Sequence, residues 1–418
     1  MNPEKPRVAV IFHRLGPYHV ARLRAAAHLC EVIVIEQSAE TAEYRWRKVA
    51  TPEGVTRMTL SANDCGHRRN AESIDRTTKA LDSITPLRAV AIPGWSNLTA
   101  LAALRWCVQQ NLPCVVMTES GANDKSRSRA SEWVKNKVLT LCSAALAGGS
   151  RHRDYLLELG VRRDCIFLGY DAVDNDYFRQ KAEEVRGQRS EVRKEYGLPG
   201  NYFLASARFL PTKNLVTLLR AYADYVRRSS APSWDLVLLG DGPLRSQLLT
   251  ECERLCITGK VHLPGFVQYD ELPMYYGLAS AFVHASISEP WGLVVNEAMA
   301  SGLPLIVSKK CGCIPELLEE GRNGFSFSPE DVDELAALLL RMAAFSDAER
   351  ELMGRRSRRI IDPWSVDRFA SGLRDAVITA ECAPRKSNLA MAKFLLSGLI
   401  FARRAMPNWF KPASSRNV

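Results

Sequence analysis

Two glutamates eight residues apart stand in EPWGLVVNE, residues 289–297. Their setting suggests carbohydrate chemistry. The motif follows the strand-like run 281–286, so Glu289 falls in a loop and Glu297, two turns on, inside a helix that Gly292 and Leu293 open. The free N–H groups at such a helix start suit a phosphate. A carboxylate accepts hydrogen bonds from two neighbouring hydroxyls, which suits Glu297 to a ribose diol and Glu289 to a second sugar. A helix with two solvated glutamates has the same spacing. Arg208 and Lys213, in ARFLPTKN, flank another strand–helix junction. Two cations there can clamp a diphosphate and stabilise the charge of its departure; an ordinary surface loop has the same composition. GDGP (240–243) reads as a tight turn. Gly312, in KKCGCIPEL, allows a close backbone approach, either to a donor sugar or within a structural turn.

The amino-terminal half is less specific. FHRLGPYHVARL (12–23) runs from strand end to helix start. There Gly16 lets a ligand come near the backbone and Pro17 suits the first helical turn. His13 and His19 are candidates for acceptor or sugar contacts, although single histidines more often satisfy structure. Trp95 in PGWSN could stack on a sugar or pack in the core. Glu119 and Asp124 in MTESGAND could orient a hydroxyl or cap a helix.

These residues are separated by a regular alternation. Runs at 7–12, 31–36, 89–93, 114–118, 144–148 and 165–169 are apolar without clean alternation, as expected of strands covered on both faces. Helical patterns at 18–29, 97–109, 128–140 and 151–159 separate most of them; 37–88 is less regular. A second series has strands at 202–207, 235–240, 260–265, 281–286, 304–308 and 324–327. Its helices fall at 215–228, 244–253, 271–278, 293–300 and 332–345. The alternation predicts α/β architecture: two Rossmann-like, doubly wound parallel-sheet domains, with ligands at the carboxyl ends of their strands. The predicted boundaries are 1–178, a polar linker at 179–198, a second domain at 199–363, a helix at 364–383, and a tail at 384–418.

The chain has 418 residues and a formal charge of +10. Hydrophobic residues are 46% and charged residues 24%, which excludes disorder, collagen and a disulfide miniprotein. Residues 1–150 carry 20 basic and 13 acidic side chains, and 384–418 carry seven basic and none acidic, so the middle is acidic by four. Basic ends suggest an anionic partner. Eleven scattered cysteines show no zinc spacing and fit a reducing compartment. The short apolar run at the start reads as a strand rather than a leader, and no apolar stretch reaches 18 residues. These features point to the cytoplasm, without resident metal or cofactor.

ARFLPTKN, LVLLGDGP, VHLPGF, EPWGLVVNEAMASGLPLIVS and PELLEEGRNGF, across about 200–328, resemble as a set the nucleotide-sugar half of retaining glycosyltransferases of family 4, which have the GT-B fold. GYDAVDNDYF (169–178) resembles the segment joining that group's two domains. The resemblance implies two facing domains and a last helix that crosses back to the first. It implies transfer of a sugar from a nucleotide diphosphate to an acceptor hydroxyl with retained configuration. Glu297 would bind the ribose and Glu289 the donor sugar. Arg208 and Lys213 would hold the diphosphate in place of a metal, with Gly16 beside it and Gly292, Leu293 and Gly312 at the donor. Thr118, Glu119 and Ser120 stand where several relatives carry a histidine, so the first-domain catalytic contact is unassigned. The implied partners are a nucleotide-sugar donor and a glycan or lipid-linked acceptor in polysaccharide, lipopolysaccharide or glycolipid synthesis.

The tail NLAMAKFLLSGLIFARRAMPNWFK has an apolar stretch flanked by Lys393 and Arg403/Arg404, followed by Trp409 and Phe410. It fits an interfacial helix on the inner face of a membrane, or a helix packed on the protein. Competing classes remain. An epimerase would turn over a nucleotide sugar without acceptor. A phosphorylase would carry pyridoxal phosphate. A nucleic-acid-binding protein has only charge to support it, without a recognition helix or aromatic RNA-binding motif.

Overall fold

The structure is a computed structural model and describes residues 5–40, 45–62, 70–122, 124, 127–383 and 389–405. It divides into two compact units, Met1–Ala172 with Val366–Asn417, and Val173–Ser365.

The first unit is built on β1 (Arg7–Phe12), β2 (Glu31–Glu36), β3 (Val55–Thr59), β4 (Ala89–Pro93), β5 (Cys114–Thr118), β6 (Ala144–Ala147) and β7 (Ile166–Leu168). All pair parallel, in the order β3-β2-β1-β4-β5-β6-β7. The apolar runs reflect cover on both faces. Along β1, Ala9 and Ile11 enter one apolar layer while Val8, Val10 and Phe12 enter the other. Chain order reverses between β1 and β4, so the loops after these strands diverge at a topological switch point.

Two segments far along the chain complete this unit. The helix Val366–Glu381 buries Phe369, Leu373 and Val377 in the layer that holds Leu23 and Ala26 of the helix Pro17–Ala27. The helix Leu389–Ala405 adds Ala392, Leu396 and Ile400 to the opposite layer, packed on the helix Leu98–Gln110.

The second unit holds β8 (Tyr202–Ser206), β9 (Asp235–Leu239), β10 (Val261–Gly265), β11 (Ala281–His284), β12 (Leu305–Ser308) and β13 (Gly324–Phe327). These are also all parallel, in the order β10-β9-β8-β11-β12-β13. Its switch point lies between β8 and β11. The helices Leu215–Arg228 and Val332–Ala344 pack together on one large core. The helix Asn175–Gly187 packs on Leu272–Leu278 and on Leu293–Ala300.

Several expectations need correction. Residues 179–198 are not a linker: the helices Asn175–Gly187 and Arg189–Tyr196 occupy them, and both belong to the second unit. Their polar composition hid an apolar stripe, Phe178, Ala182 and Val185, at helical spacing. The change of unit falls at 172/173 rather than after 178. The irregular 37–88 stretch holds β3 and the helix Asn70–Ser83. β3 shows only half-buried and exposed residues, as an edge strand does, which weakens its apolar signal. The tail is not separate along its whole length, since Leu389–Ala405 is part of the first unit's core. Trp409 and Phe410 lie outside the described residues. The helix Asp347–Ile361 went unpredicted because arginines and glutamates dominate it.

Candidate active site

In the second unit, the loops after β8 and β11 leave adjacent parallel strands at the switch point, and they converge. Lys213, in a short turn after β8, donates its Nζ hydrogen bond to Oε2 of Glu289, which follows β11. His284 Nε2 stands 2.9 Å from the same oxygen, and Ser286 Oγ donates to it at 3.1 Å. Side-chain exposure is only 19% for Lys213, 11% for Glu289 and 3% for His284. Burial raises the Glu289 carboxyl, but the Lys213 charge and the His284 contact outweigh it and hold the group at about 2. At neutral pH Glu289 is therefore an ionised acceptor. It can orient hydroxyls or face positive charge, and it has no proton to donate.

The loop carrying Glu289 is tied down. Its carbonyl accepts from the Gly312 N–H at 2.9 Å, and the Trp291 carbonyl accepts from Cys313 at 3.3 Å. A Cβ on Gly312 would stand 1.6 Å from the Pro290 carbonyl oxygen. The close approach made by Gly312 is thus to the glutamate loop. Trp291 is fully buried, with its indole N–H on Asn296 at 2.9 Å. Gly292 turns the chain into the helix Leu293–Ala300 with φ 101°, a conformation costly for other residues. Its Cα faces Glu289 and His284: an added Cβ would lie 3.3 Å from Glu289 Cγ and 3.8 Å from His284 Nε2. Leu293, half-buried, is the first helical residue.

The structure gives Glu297 a separate setting. Its side chain is fully enclosed and accepts from the Tyr276 hydroxyl at 2.6 Å. Burial and this carboxylate drive the phenol well above its ordinary value, so Tyr276 stays a donor. Arg208 is exposed in the loop after β8. That loop is held by backbone bonds between Phe209 and both Asp241 of the GDGP turn and Leu244 just after it. Gly240 makes this possible, since a Cβ there would fall 1.8 Å from the Ala207 carbonyl oxygen.

In the first unit, His13 Nδ1 lies 3.2 Å from the Gln37 side-chain oxygen, which also accepts from Thr99 at 3.0 Å. These groups come from the loops after β1 and β2 and from the helix after β4, so they gather at that unit's own switch point. His19 serves the backbone: its Nδ1 accepts from the Gly16 N–H at 3.1 Å, and its ring packs 4.3 Å from Phe12. Burial and the Arg22 charge lower it to about 3, so it is neutral. Gly16 is the residue that starts the helix Pro17–Ala27. Trp95 is half-buried against two apolar clusters. Glu119 is exposed beyond β5, and Thr118 Oγ1 accepts from the Ser120 N–H.

Sequence reasoning missed His284, Ser286 and Tyr276. The first two were absorbed into the apolar run AFVHAS, yet they are the only polar positions in it and fall two apart. Among the described residues, no group of three or more His, Cys, Asp and Glu could hold a metal ion.

Residues 188–359, which hold this cluster, match the family model of the group 1 glycosyl transferases. The second unit carries a group 1 glycosyl transferase domain. The chain is 30% identical to the sulfoquinovosyl transferase of Arabidopsis thaliana over 245 residues, 58% of this chain and 44% of that protein. It is 28% identical to the alpha-monoglucosyldiacylglycerol synthase of Acholeplasma laidlawii over 153 residues, 36% and 38% of the two chains. The matched stretches thus span less than half of either relative. Solved structures extend the likeness beyond the transferase domain. A Rickettsia africae glycosyltransferase covers 94% of this chain and 99% of its own, with TM-score 0.67 and 14% identity. Anabaena HepE, solved in complex with UDP and glucose, covers 88% and 98%, with TM-score 0.67 and 16% identity. The two parallel-sheet units are those of the GT-B fold.

Proposed function

We propose that this chain transfers a sugar from a nucleotide diphosphate to an acceptor hydroxyl, with its anomeric configuration retained. The observation that carries the reading is the Lys213–Glu289–His284 cluster at the switch point of the glycosyl transferase domain. Lys213, half-buried and held by an ionised partner, is a cation placed to pass to a diphosphate when one arrives. Arg208, exposed on the same loop, supplies the second charge. Glu289, then released from Lys213, accepts hydrogen bonds from donor-sugar hydroxyls. Glu297 serves the ribose once the chain around it opens, since its carboxylate is enclosed beside Tyr276 before a donor binds. Two cations on the leaving group make a metal unnecessary. Anabaena HepE, solved with UDP and glucose, supports a nucleotide-sugar donor.

The acceptor is a membrane-borne glycolipid or lipid-linked glycan, and the chain works from the cytoplasmic face. Two features support this. The matched Acholeplasma relative is a glucosyldiacylglycerol synthase. The helix Leu389–Ala405 exposes Met391, Phe394 and Phe401 along one side, within a segment that has seven basic and no acidic residues.

The test is a screen of nucleotide sugars by thermal shift, followed by transfer assays on the stabilising donor. Lys213→Ala and Glu289→Gln should each lower transfer by about 10²–10³-fold, and EDTA should leave the wild type unchanged. Wild-type turnover by Lys213→Ala would remove the clamp. Conversion of a nucleotide sugar without any acceptor would make the chain an epimerase instead.

A further inference from the structure

The second unit also concentrates arginine at the amino-terminal ends of its strands, opposite the glutamate–lysine cluster. A cavity of about 500 Å³ opens there. Asn201, Ser280 and Pro304, the residues just before β8, β11 and β12, line it. Strands of four or five residues, at ~3.3 Å each, set it ~15 Å from the carboxyl ends. Arg186, Arg189 and Arg193 enter from the helices Asn175–Gly187 and Arg189–Tyr196. Arg350, Arg355 and Arg358 enter from Asp347–Ile361.

Three acids in the lining neutralise the second trio. Arg358 meets Glu183 at 2.7 Å, Arg355 meets Glu351 at 3.7 Å, and Arg350 pairs with Asp347. The first trio has no such partner: among the described residues, no carboxylate lies within 4 Å of Arg186, Arg189 or Arg193. Arg186 donates instead to the carbonyl of Ser301, and Arg193 to that of Gly200. The Nε atoms of Arg193 and Arg358 are buried without any hydrogen-bond partner. Burial, with Arg358 and Arg189 close by, lowers the Arg186 guanidinium to about 10 against the opposing charges of Glu183 and Glu351. The lining thus sets six arginines against three acids, and a multivalent anion relieves that excess of positive charge. Guanidinium forks match phosphate oxygens in pairs, and the volume lies within the ~300–1,000 Å³ of small-molecule sites.

We propose that this cavity is a second anion site, which binds a diphosphate or a sugar phosphate independently of the donor site. The Arg186 contact with Ser301 sets it against the end of the helix that carries Glu297. The experiment is hydrogen exchange on the full chain with inorganic pyrophosphate or ribose 5-phosphate, at ionic strength matched with sodium chloride. Peptides covering 186–193 and 350–358 should gain protection, whereas those at 208–213 and 289–293 report the donor site separately. Stronger protection by ribose 5-phosphate would assign a sugar phosphate, and stronger protection by pyrophosphate a diphosphate. Arg189→Glu with Arg355→Glu, both exposed positions, should weaken calorimetric affinity at that site at least tenfold and leave the donor-induced thermal shift intact. If that pair does not fold, Arg189→Ala should weaken it at least threefold. No protection at 186–193 with either probe, or unchanged affinity in a folded variant, would overturn the site.

Discussion

His19 shows how one side chain can look like chemistry and serve the backbone. Its Nδ1 accepts from Gly16 at the start of a helix, the role a glutamine fills at the same position of a capping box. Its folded value of about 3 lies below the ordinary 6.5. The unfolded chain therefore takes up a proton first as pH falls, and stability is lost from about pH 6.5 down toward 3. Between pH 7 and 5 that loss is about 1–2 kcal/mol. Urea unfolding of His19→Gln, which keeps an acceptor, should show a stability profile flatter than the wild type by that amount over this interval. Parallel profiles would mean that His19 is protonated in the folded protein.

At the scale of elements, the 289–291 loop is held from outside by the 311–313 loop, and Gly312 sets the separation. Gly312→Ala must push the two backbones apart. It should cost about 2–4 kcal/mol of stability and lower transfer together with it, without any change in the residues that contact donor. Wild-type melting with full activity would show that the loops are free to part. The helix Leu389–Ala405 makes a contrasting case because it is apolar on two sides. Leu396 is fully buried, whereas Phe394 and Phe401 are 83% and 72% exposed. Phe394→Ser with Phe401→Ser should leave the melting temperature unchanged and lower co-sedimentation with anionic liposomes about tenfold or more. Leu396→Asp should destabilise the unit. Equal liposome binding by the double serine variant would take the helix out of the membrane reading.

For the whole molecule, the first unit is not continuous in sequence. Val366–Glu381 adds residues to one of its apolar layers and Leu389–Ala405 to the opposite one. A chain ending at Ser365 should therefore fail to fold its first unit and become protease-sensitive there. The second unit, whose core is drawn from residues 203–353, should keep its protection. Retention of a protease-resistant fragment 5–172 would contradict this account of the core.

The α/β alternation, most strand positions, the helix after Gly292 and the set of motifs shared with glycosyltransferases were legible in the chain alone. Each rests on local pattern: apolar runs, helical spacing, and glycines or charges at strand ends. The tertiary structure decided what local pattern cannot carry. It brought Lys213 and Glu289, 76 positions apart, onto one oxygen and added His284 from inside a strand. It made helices of a polar stretch that read as a linker, because their apolar stripes gain meaning only against a partner. It also separated the two glutamates of one motif, giving Glu289 a cation and Glu297 a phenol. Contact between distant strand ends depends on sheet order, and sheet order is a property of the folded chain.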